Sequence, residues 1–225
     1  MINRLDWDSK FFEIEIGELI YQKHFNYENV DIFDLLYIKS NNDFELEINN
    51  FKNAFSETKV VFSKNLNFFE TSNRNIFSFD KINYNIEEIY ELAFESGKFS
   101  RFFLDNNFKK EKFKELYKKW VDNSISKLFA DDLFVYQNDN KTMGFVTYKI
   151  NNNIAKIGLI AVSPNYQGKG IGGKLLNYLE NLLFQNNIKT LYIPTQKNNL
   201  VACNFYKKQG YIVNEKTIIK HYWKK

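Results

Sequence analysis

Cysteine, histidine, proline and glycine are all scarce in this 225-residue chain, and each scarcity removes a class of explanation. A single cysteine, Cys203, excludes a disulfide framework and a cysteine-based zinc cluster, and it suits a reducing, cytoplasmic compartment. Two histidines, His24 and His221, are too few for a histidine-rich metal centre, so no metal is expected. No apolar run approaches the ~20 residues that a bilayer span needs. The opening MINRLDWDSKFF is acidic and aromatic and reads as no signal peptide. With 44% apolar, 18% aromatic and 26% charged residues the chain is globular, long enough for one large domain or two small ones.

Acidic residues are nearly absent from the C-terminal part. Residues 141–225 hold thirteen Lys and no Arg against Glu180 and Glu215, a balance of +11, whereas the remainder stands at −7. A basic third implies an anionic partner, and dispersed Lys without Arg favours a small polyanion over a nucleic-acid duplex.

The few breakers punctuate the chain. The prolines are Pro164 and Pro194, and five of the nine glycines fall between Gly158 and Gly173. Residues 1–85 read as a small α/β module: FFEIEIGELI (11–20) alternates like a strand, 30–40 has helical spacing running into a strand, and KVVFSKNL (59–66) is another strand. From Ile86 the spacing turns helical, in IEEIYELAFESGKF and KKEKFKELYKKWVDNSISKLF. Strands over 132–138, 141–150 and 153–162 follow, with turns at Asp139-Asn140 and Asn151–Asn153. A helix from GIGGKLLNYLENLLFQNN, a strand KTLYIPT, a helix LVACNFYKKQG and a last strand YIVNEKTIIKHYW complete residues 86–225.

Between a strand and a helix stands Gln167-Gly168-Lys169-Gly170-Ile171-Gly172-Gly173-Lys174. Glycines let backbone approach a ligand, and a helix start offers unpaired N–H groups with partial positive charge, which together make a pyrophosphate cradle. Read as a dinucleotide G-x-G-x-x-G, the loop needs an acidic residue ~20 positions on, and Gln185 to Asn214 holds none. Read as G-x-x-x-x-G-K, it has Leu175 where a magnesium-binding Ser or Thr is required. The third pattern, Q/R-x-x-G-x-G/A, is met by Gln167, Gly170 and Gly172.

That third pattern resembles the pyrophosphate loop of the GNAT family of acyl-CoA-dependent N-acyltransferases. IGLIAVSPNYQGKGIGGKLL is similar to the family's strand, loop and helix, and TQKNNLVACNFYKKQGY to its Asn-containing helix and Gly-aromatic turn. The resemblance implies a GNAT acyltransferase fold of α/β (α+β) class: a mixed, mostly antiparallel sheet flanked by helices over 86–225, preceded by the 1–85 module. It implies acetyl-CoA, or another short acyl-CoA, as donor. The strand before the loop is expected to carry a bulge and splay from its neighbour, with pantetheine in the gap. Leu159, Ile160, Ala161 and Val162 would line that gap, and Gln167, Gly168, Lys169, Gly170, Ile171, Gly172 and Gly173 would grip the diphosphate. Lys169 and Lys174 either add charge there or are solvated. Asn199 and Asn204 either bond pantetheine or cap the helix. Tyr206 would protonate the leaving thiolate, its phenol being neutral at pH 7. Glu95, His221 or ordered water remain open as the base.

LDWDSKFFEIEIGEL (5–19) and ESGKFSRFFLDNNF (95–108) are similar to segments of the dTDP-fucosamine acetyltransferases of surface-polysaccharide synthesis, with Glu13 standing where Gly is expected. This implies acetyl transfer to the amine of a dTDP-4-amino-4,6-dideoxyhexose, a lipopolysaccharide or O-antigen precursor. Glu95, Phe99, Ser100 and Arg101 would contact the nucleotide sugar, Arg101 through bidentate bonds to its pyrophosphate. No nucleic acid and no membrane span is expected, and a homodimer stays open. Two other readings stay open as well, acylation of a protein or peptide amine and a non-catalytic acyl-CoA sensor.

Overall fold

The computed structural model describes residues 2–23, 27, 30–67, 74–81 and 85–225. In chain order the described elements are β1 (Asn3–Arg4), α1 (Asp6–Phe12), β2 (Ile16–Ile20), β3 (Leu35–Ser40), β4 (Phe51–Asn65) and β5 (Ile76–Ser78). Then come α2 (Ile86–Gly97), α3 (Arg101–Leu104), α4 (Lys110–Ile125), β6 (Asp132–Asn138), β7 (Lys141–Asn151) and β8 (Ile154–Val162). The rest is α5 (Ile171–Gln185), β9 (Thr190–Gln196), α6 (Leu200–Lys208) and β10 (Ile212–Lys224).

All ten strands join one sheet in the order β1-β2-β3-β10-β4-β9-β8-β7-β6-β5. Among the described strands only β2–β3 and β8–β9 run parallel; the other pairs are antiparallel. This is the mixed, mostly antiparallel α+β sheet that the sequence implied. The strands of residues 1–85 interleave with those of 86–225, since β4 lies between β9 and β10 and β5 pairs with β6.

Helices cover both faces. On one, Ile89, Leu92, Phe94, Phe102, Phe113 and Leu116 of α2, α3 and α4 pack with Leu159 and Ala161 of β8. On the other, Leu175, Leu176, Leu179 and Leu183 of α5 and Cys203 and Tyr206 of α6 pack with Val60, Phe62, Ile157 and Ile193. The four α5 leucines recur at helical spacing and are at most 1% exposed, each stabilising the fold by about 1.5–3 kcal/mol through burial. A buried ion pair ties α5 to the sheet: Lys64 Nζ lies 2.7 Å from the Glu180 carboxylate, which also accepts from the Tyr211 hydroxyl at 2.7 Å.

Elements match the sequence expectation closely from residue 86 onward and less well before it. The Asp139-Asn140 turn has both residues at positive φ (50° and 59°), as a two-residue hairpin requires. Residues 30–34 form turns instead of a helix. The apolar spacing there arises because β3 is buried on both faces, with Leu35 to Ile38 fully inside. The strand expected over 11–20 begins at Ile16, because Phe11 and Phe12 close α1. Glu13, which stands where Gly was expected, caps α1 in the left-handed region at φ 60°, the conformation that explains that expectation.

Candidate active site

Strands β8 and β9 pair at Ala155–Leu191 and Lys156–Tyr192 and then separate, leaving the rest of both strands unpaired with each other. A V-shaped opening results, with β8 from Ile157 to Val162 on one side and β9 from Ile193 to Gln196 on the other. The opposite edge of β8 is held in place. β7 pairs Val146 with Ile160 and Tyr148 with Ile157, so Thr147 faces two residues, Gly158 and Leu159, in a β-bulge. The Leu159 N–H donates to the buried Thr147 Oγ1 at 2.8 Å. A Cβ on residue 158 would stand 2.9 Å from that same oxygen, which is why glycine occupies the site. Beyond the bulge, Leu159 and Ala161 turn toward the α2–α4 face and Ile160 and Val162 toward α5 and α6.

After β8 a single 3-10 turn, Pro164–Tyr166, leads to the loop. Gln167 folds back, its Nε2 donating to the Val162 carbonyl at 3.0 Å. Gly168 and Gly170 take positive φ of 75° and 78°, and a Cβ on either would meet no atom of the described residues within 4 Å. Gly170 is the N-cap of α5 and no side chain caps that end, leaving its first N–H groups open to a ligand. Gly172 and Gly173 differ from these, since each faces α6: a Cβ would lie 3.1 Å from the Phe205 ring and 3.4 Å from the Gln209 side chain. So Gln167 to Gly170 form the open part of the loop, and Gly172 and Gly173 allow the close helix packing. Lys169 is exposed with its ammonium 5.0 Å from the Tyr166 ring, and Lys174 is exposed with its own 5.5 Å from the Tyr136 ring. This loop fits a diphosphate.

Helix α6 starts at Asn199, whose side chain caps it by accepting from the Ala202 N–H at 3.2 Å. Asn204 is exposed, and Cys203 is buried. Tyr206 is 5% exposed, packed against Phe62, Phe205 and Tyr211 on the α5–α6 face. Burial holds its phenol well above the ordinary tyrosine range, so it keeps its proton at neutral pH.

The other face of the sheet carries a polar cluster. Ser100 is buried and begins α3, and the guanidinium of Arg101 lies 4.3 Å from the Tyr37 ring centroid and 4.9 Å from that of Phe102. Phe99 is 37% exposed, and Glu95 pairs with Lys98. Asp8 on α1 is half-buried, its carboxyl raised by burial and pulled back by Arg101. His221 is fully buried with Nδ1 2.6 Å from Asp105 Oδ2, an oxygen that also accepts from the Trp223 indole at 2.8 Å. Burial pushes the imidazole down to about 4 despite that carboxylate. Burial alone would raise Asp105, yet the bonds from His221, Asn107 and Trp223 hold it at about 2. His221 is therefore neutral and locked, and Asp105 is ionised.

Two members of this cluster escape sequence reasoning. Tyr37 and Glu57 come from β3 and β4, far along the chain from α3, and β4 extends eight residues before the strand start expected at Lys59. The signal for Glu57 was the alternation around FSETKVVF, which leaves Glu57 and Lys59 on one face and Val60 and Phe62 with the opposite core. Thr147 was likewise invisible, because its hydroxyl matters only once Gly158 and Leu159 bulge opposite it.

A family model described as the acetyltransferase (GNAT) family matches residues 85–211. The chain is 27% identical over 138 residues to the spore coat polysaccharide biosynthesis protein SpsD of Bacillus subtilis, covering 61% of this chain and 47% of that one. It thus spans about half the length of that relative. It is 31% identical over 122 residues to streptothricin acetyltransferase A of Bacillus subtilis, covering 54% of this chain and 69% of that one. A GNAT-family structure from Novosphingobium aromaticivorans superposes with a TM-score of 0.58 at 10% identity, covering 85% of this chain and 75% of the other, a likeness of fold.

Proposed function

Because the chain belongs to the GNAT acetyltransferase family, we propose that it is an acyl-CoA-dependent N-acetyltransferase whose acceptor is the amine of a nucleotide-linked amino-dideoxy sugar, a dTDP-4-amino-4,6-dideoxyhexose. The observation that carries the reading is the separation of β8 from β9 after two residue pairs, with the bulge at Gly158 and Leu159 on one side of the gap and the open glycine loop at its end. A gap between strands exposes backbone donors and acceptors, and an extended pantetheine arm supplies their partners.

Acyl-CoA supplies an activated acyl group when bound. The loop from Gln167 to Gly173 holds the diphosphate on its N–H groups, with Lys169 and Lys174 adding charge at its rim. The free edge of β8 from Leu159 to Val162 aligns the pantetheine and presents an N–H toward the carbonyl oxygen, where negative charge develops. Tyr206, protonated and buried, gives its proton to the departing sulfur. Asn199 is occupied as a cap, so its share in binding falls to the backbone around it; Asn204 is free to reach the donor. The acceptor enters from the α2–α4 face, where Ser100, Arg101 and Phe99 stand, and the enzyme serves the synthesis of surface-polysaccharide precursors. The similarity to a polysaccharide biosynthesis protein supports the sugar, and the polar cluster built from β3, β4, α3 and β10 supports a hydroxylated acceptor.

Thiol release from acetyl-CoA, measured with a dTDP-4-amino sugar, streptothricin, an alanyl peptide and RNA, tests this. Turnover on the sugar nucleotide alone is the expected result. Turnover on the peptide instead moves the reading to protein amines, and acetyl-CoA binding without turnover makes the protein a sensor.

A further inference from the structure

Four buried polar atoms on the α2–α4 face lack a hydrogen-bond partner among the described residues: Ser100 Oγ, beside the Tyr117 side chain, and three others, Tyr37 Oη, Glu57 Oε2 and His221 Nε2. The last three share one locus. The rings of Tyr37 and His221 are 4.6 Å apart, Arg101 stacks on Tyr37, and the Arg101 backbone N–H is directed at the Glu57 carboxylate. Polar atoms are rarely left bare in a folded interior, because each costs the hydration it lost. Three of them facing one region therefore mark a place that a polar ligand completes.

Register decides which of the three meets the reacting amine. Strand β9 covers β4 only as far as Lys59, which pairs with Gln196; the last link is the Lys197 N–H donating to the Thr58 carbonyl at 2.8 Å. Glu57 sits just past that end, so no described strand covers the edge of β4 on the side of the β8–β9 opening there. His221 lies one strand further away, on β10 opposite Phe55, with Nδ1 committed to Asp105. Tyr37 lies further still, on β3 opposite His221. Glu57 makes no salt bridge among the described residues, although Arg101 and Lys59 are its charged neighbours.

We propose that Glu57 is the catalytic base, the carboxylate that takes the proton from the acceptor's ammonium, and that Arg101 is the positioning residue that holds it. The assignment rests on the acyltransferase reading above but not on the acceptor being a sugar. Glu57 removes one proton from nitrogen, and the freed lone pair forms the C–N bond as the thioester C–S bond breaks. Sulfur takes the proton of Tyr206. The second nitrogen proton replaces the one Tyr206 gave, and Glu57 returns its own to solvent, so one proton is released per amide formed.

The groups facing Glu57 set the sign of its pH dependence. Burial raises its carboxyl; Arg101 of α3 and Lys59 of its own strand oppose that. Tyr37 of β3 and Tyr117 of α4 stay neutral, Tyr117 pushed up to about 12, and His221 of β10 stays neutral down to about 4. Activity therefore falls as pH drops through a carboxylate lifted above its ordinary range.

The test uses the full chain, acetyl-CoA and whichever amine of the panel above turns over, with Glu57→Gln and Glu57→Asp beside wild type. Glu57→Gln should lower kcat by ~10²-fold or more and abolish the acid limb of the kcat/KM profile. Acetyl-CoA affinity by calorimetry should stay unchanged, and Glu57→Asp should restore part of the rate together with the limb. A Glu57→Gln rate within about threefold of wild type, or an acid limb that persists, overturns the assignment. Loss of both the thermal transition and acetyl-CoA binding in the two variants overturns it too, in favour of a structural role. If the working amine is not a sugar nucleotide, the acceptor reading falls while the Glu57 outcome is still read on that amine.

Discussion

Replacing Tyr206 by Phe removes one oxygen from a side chain already held by Phe62, Phe205 and Tyr211. The ring packing survives and the proposed proton donor is lost. We expect kcat to fall ~10²-fold with acetyl-CoA affinity unchanged, measured by steady-state kinetics and calorimetry. His221 gives a prediction of the opposite kind, in stability. Its imidazole sits at about 4 in the fold against roughly 6.5 in an unfolded chain. The unfolded state binds the extra proton between those values, so stability is complete above the upper one and is lost as pH falls toward the lower one. The loss is on the order of 3 kcal/mol. Thermal melts from pH 7 to pH 4 should show it, and His221→Gln, which keeps a donor toward Asp105 but cannot titrate, should flatten the slope. Tyr206 and the Gln167–Gly173 loop could be singled out as candidates in the sequence because local spacing marks them. Glu57, the proposed base, and Asp105 could not be, since their surroundings are built by residues a hundred positions or more away or by where a neighbouring strand stops.

At the scale of elements, the bulge in β8 depends on a hydroxyl in β7. Thr147→Val keeps the branched shape but removes the acceptor of the Leu159 N–H, leaving a buried donor unpaired. A cost of about 1–3 kcal/mol should appear as a lower melting temperature. The KM for acetyl-CoA should rise in the same variant, because the freed strand edge is no longer fixed beside the gap. Helices α2, α4, α5 and α6 were readable from spacing, as was the hairpin at Asp139-Asn140, whose residues tolerate positive φ. Residues 30–34 misled because a strand buried on both faces imitates helical periodicity. The first half of β4 was missed for a related reason: FKNAFSET is largely exposed, and pairing with β10 rather than burial keeps it extended.

For the molecule as a whole, the sheet is continuous across the change of apolar spacing at Ile86. β4 pairs with β10 from Phe51 to Ser63 and with β9 from Lys59 to Asn65. Without it, β9 and β10 would each expose a long bare edge. Residues 86–225 produced alone should therefore show no cooperative thermal transition and should bind a hydrophobic dye, whereas the full chain melts in one step. Such interleaving could not be read from the sequence, since no local signal says that a strand from residues 51–65 separates two that follow residue 189.

The same threading sets an order on biosynthesis. β4 leaves the ribosome well over a hundred residues ahead of both strands that flank it, and so it must wait, extended or loosely collapsed, until β9 and β10 have been made. A nascent chain consequently carries an unpaired strand through that interval, which predisposes it to capture by chaperones, and slow codons placed before β9 would lengthen the interval instead of aiding folding.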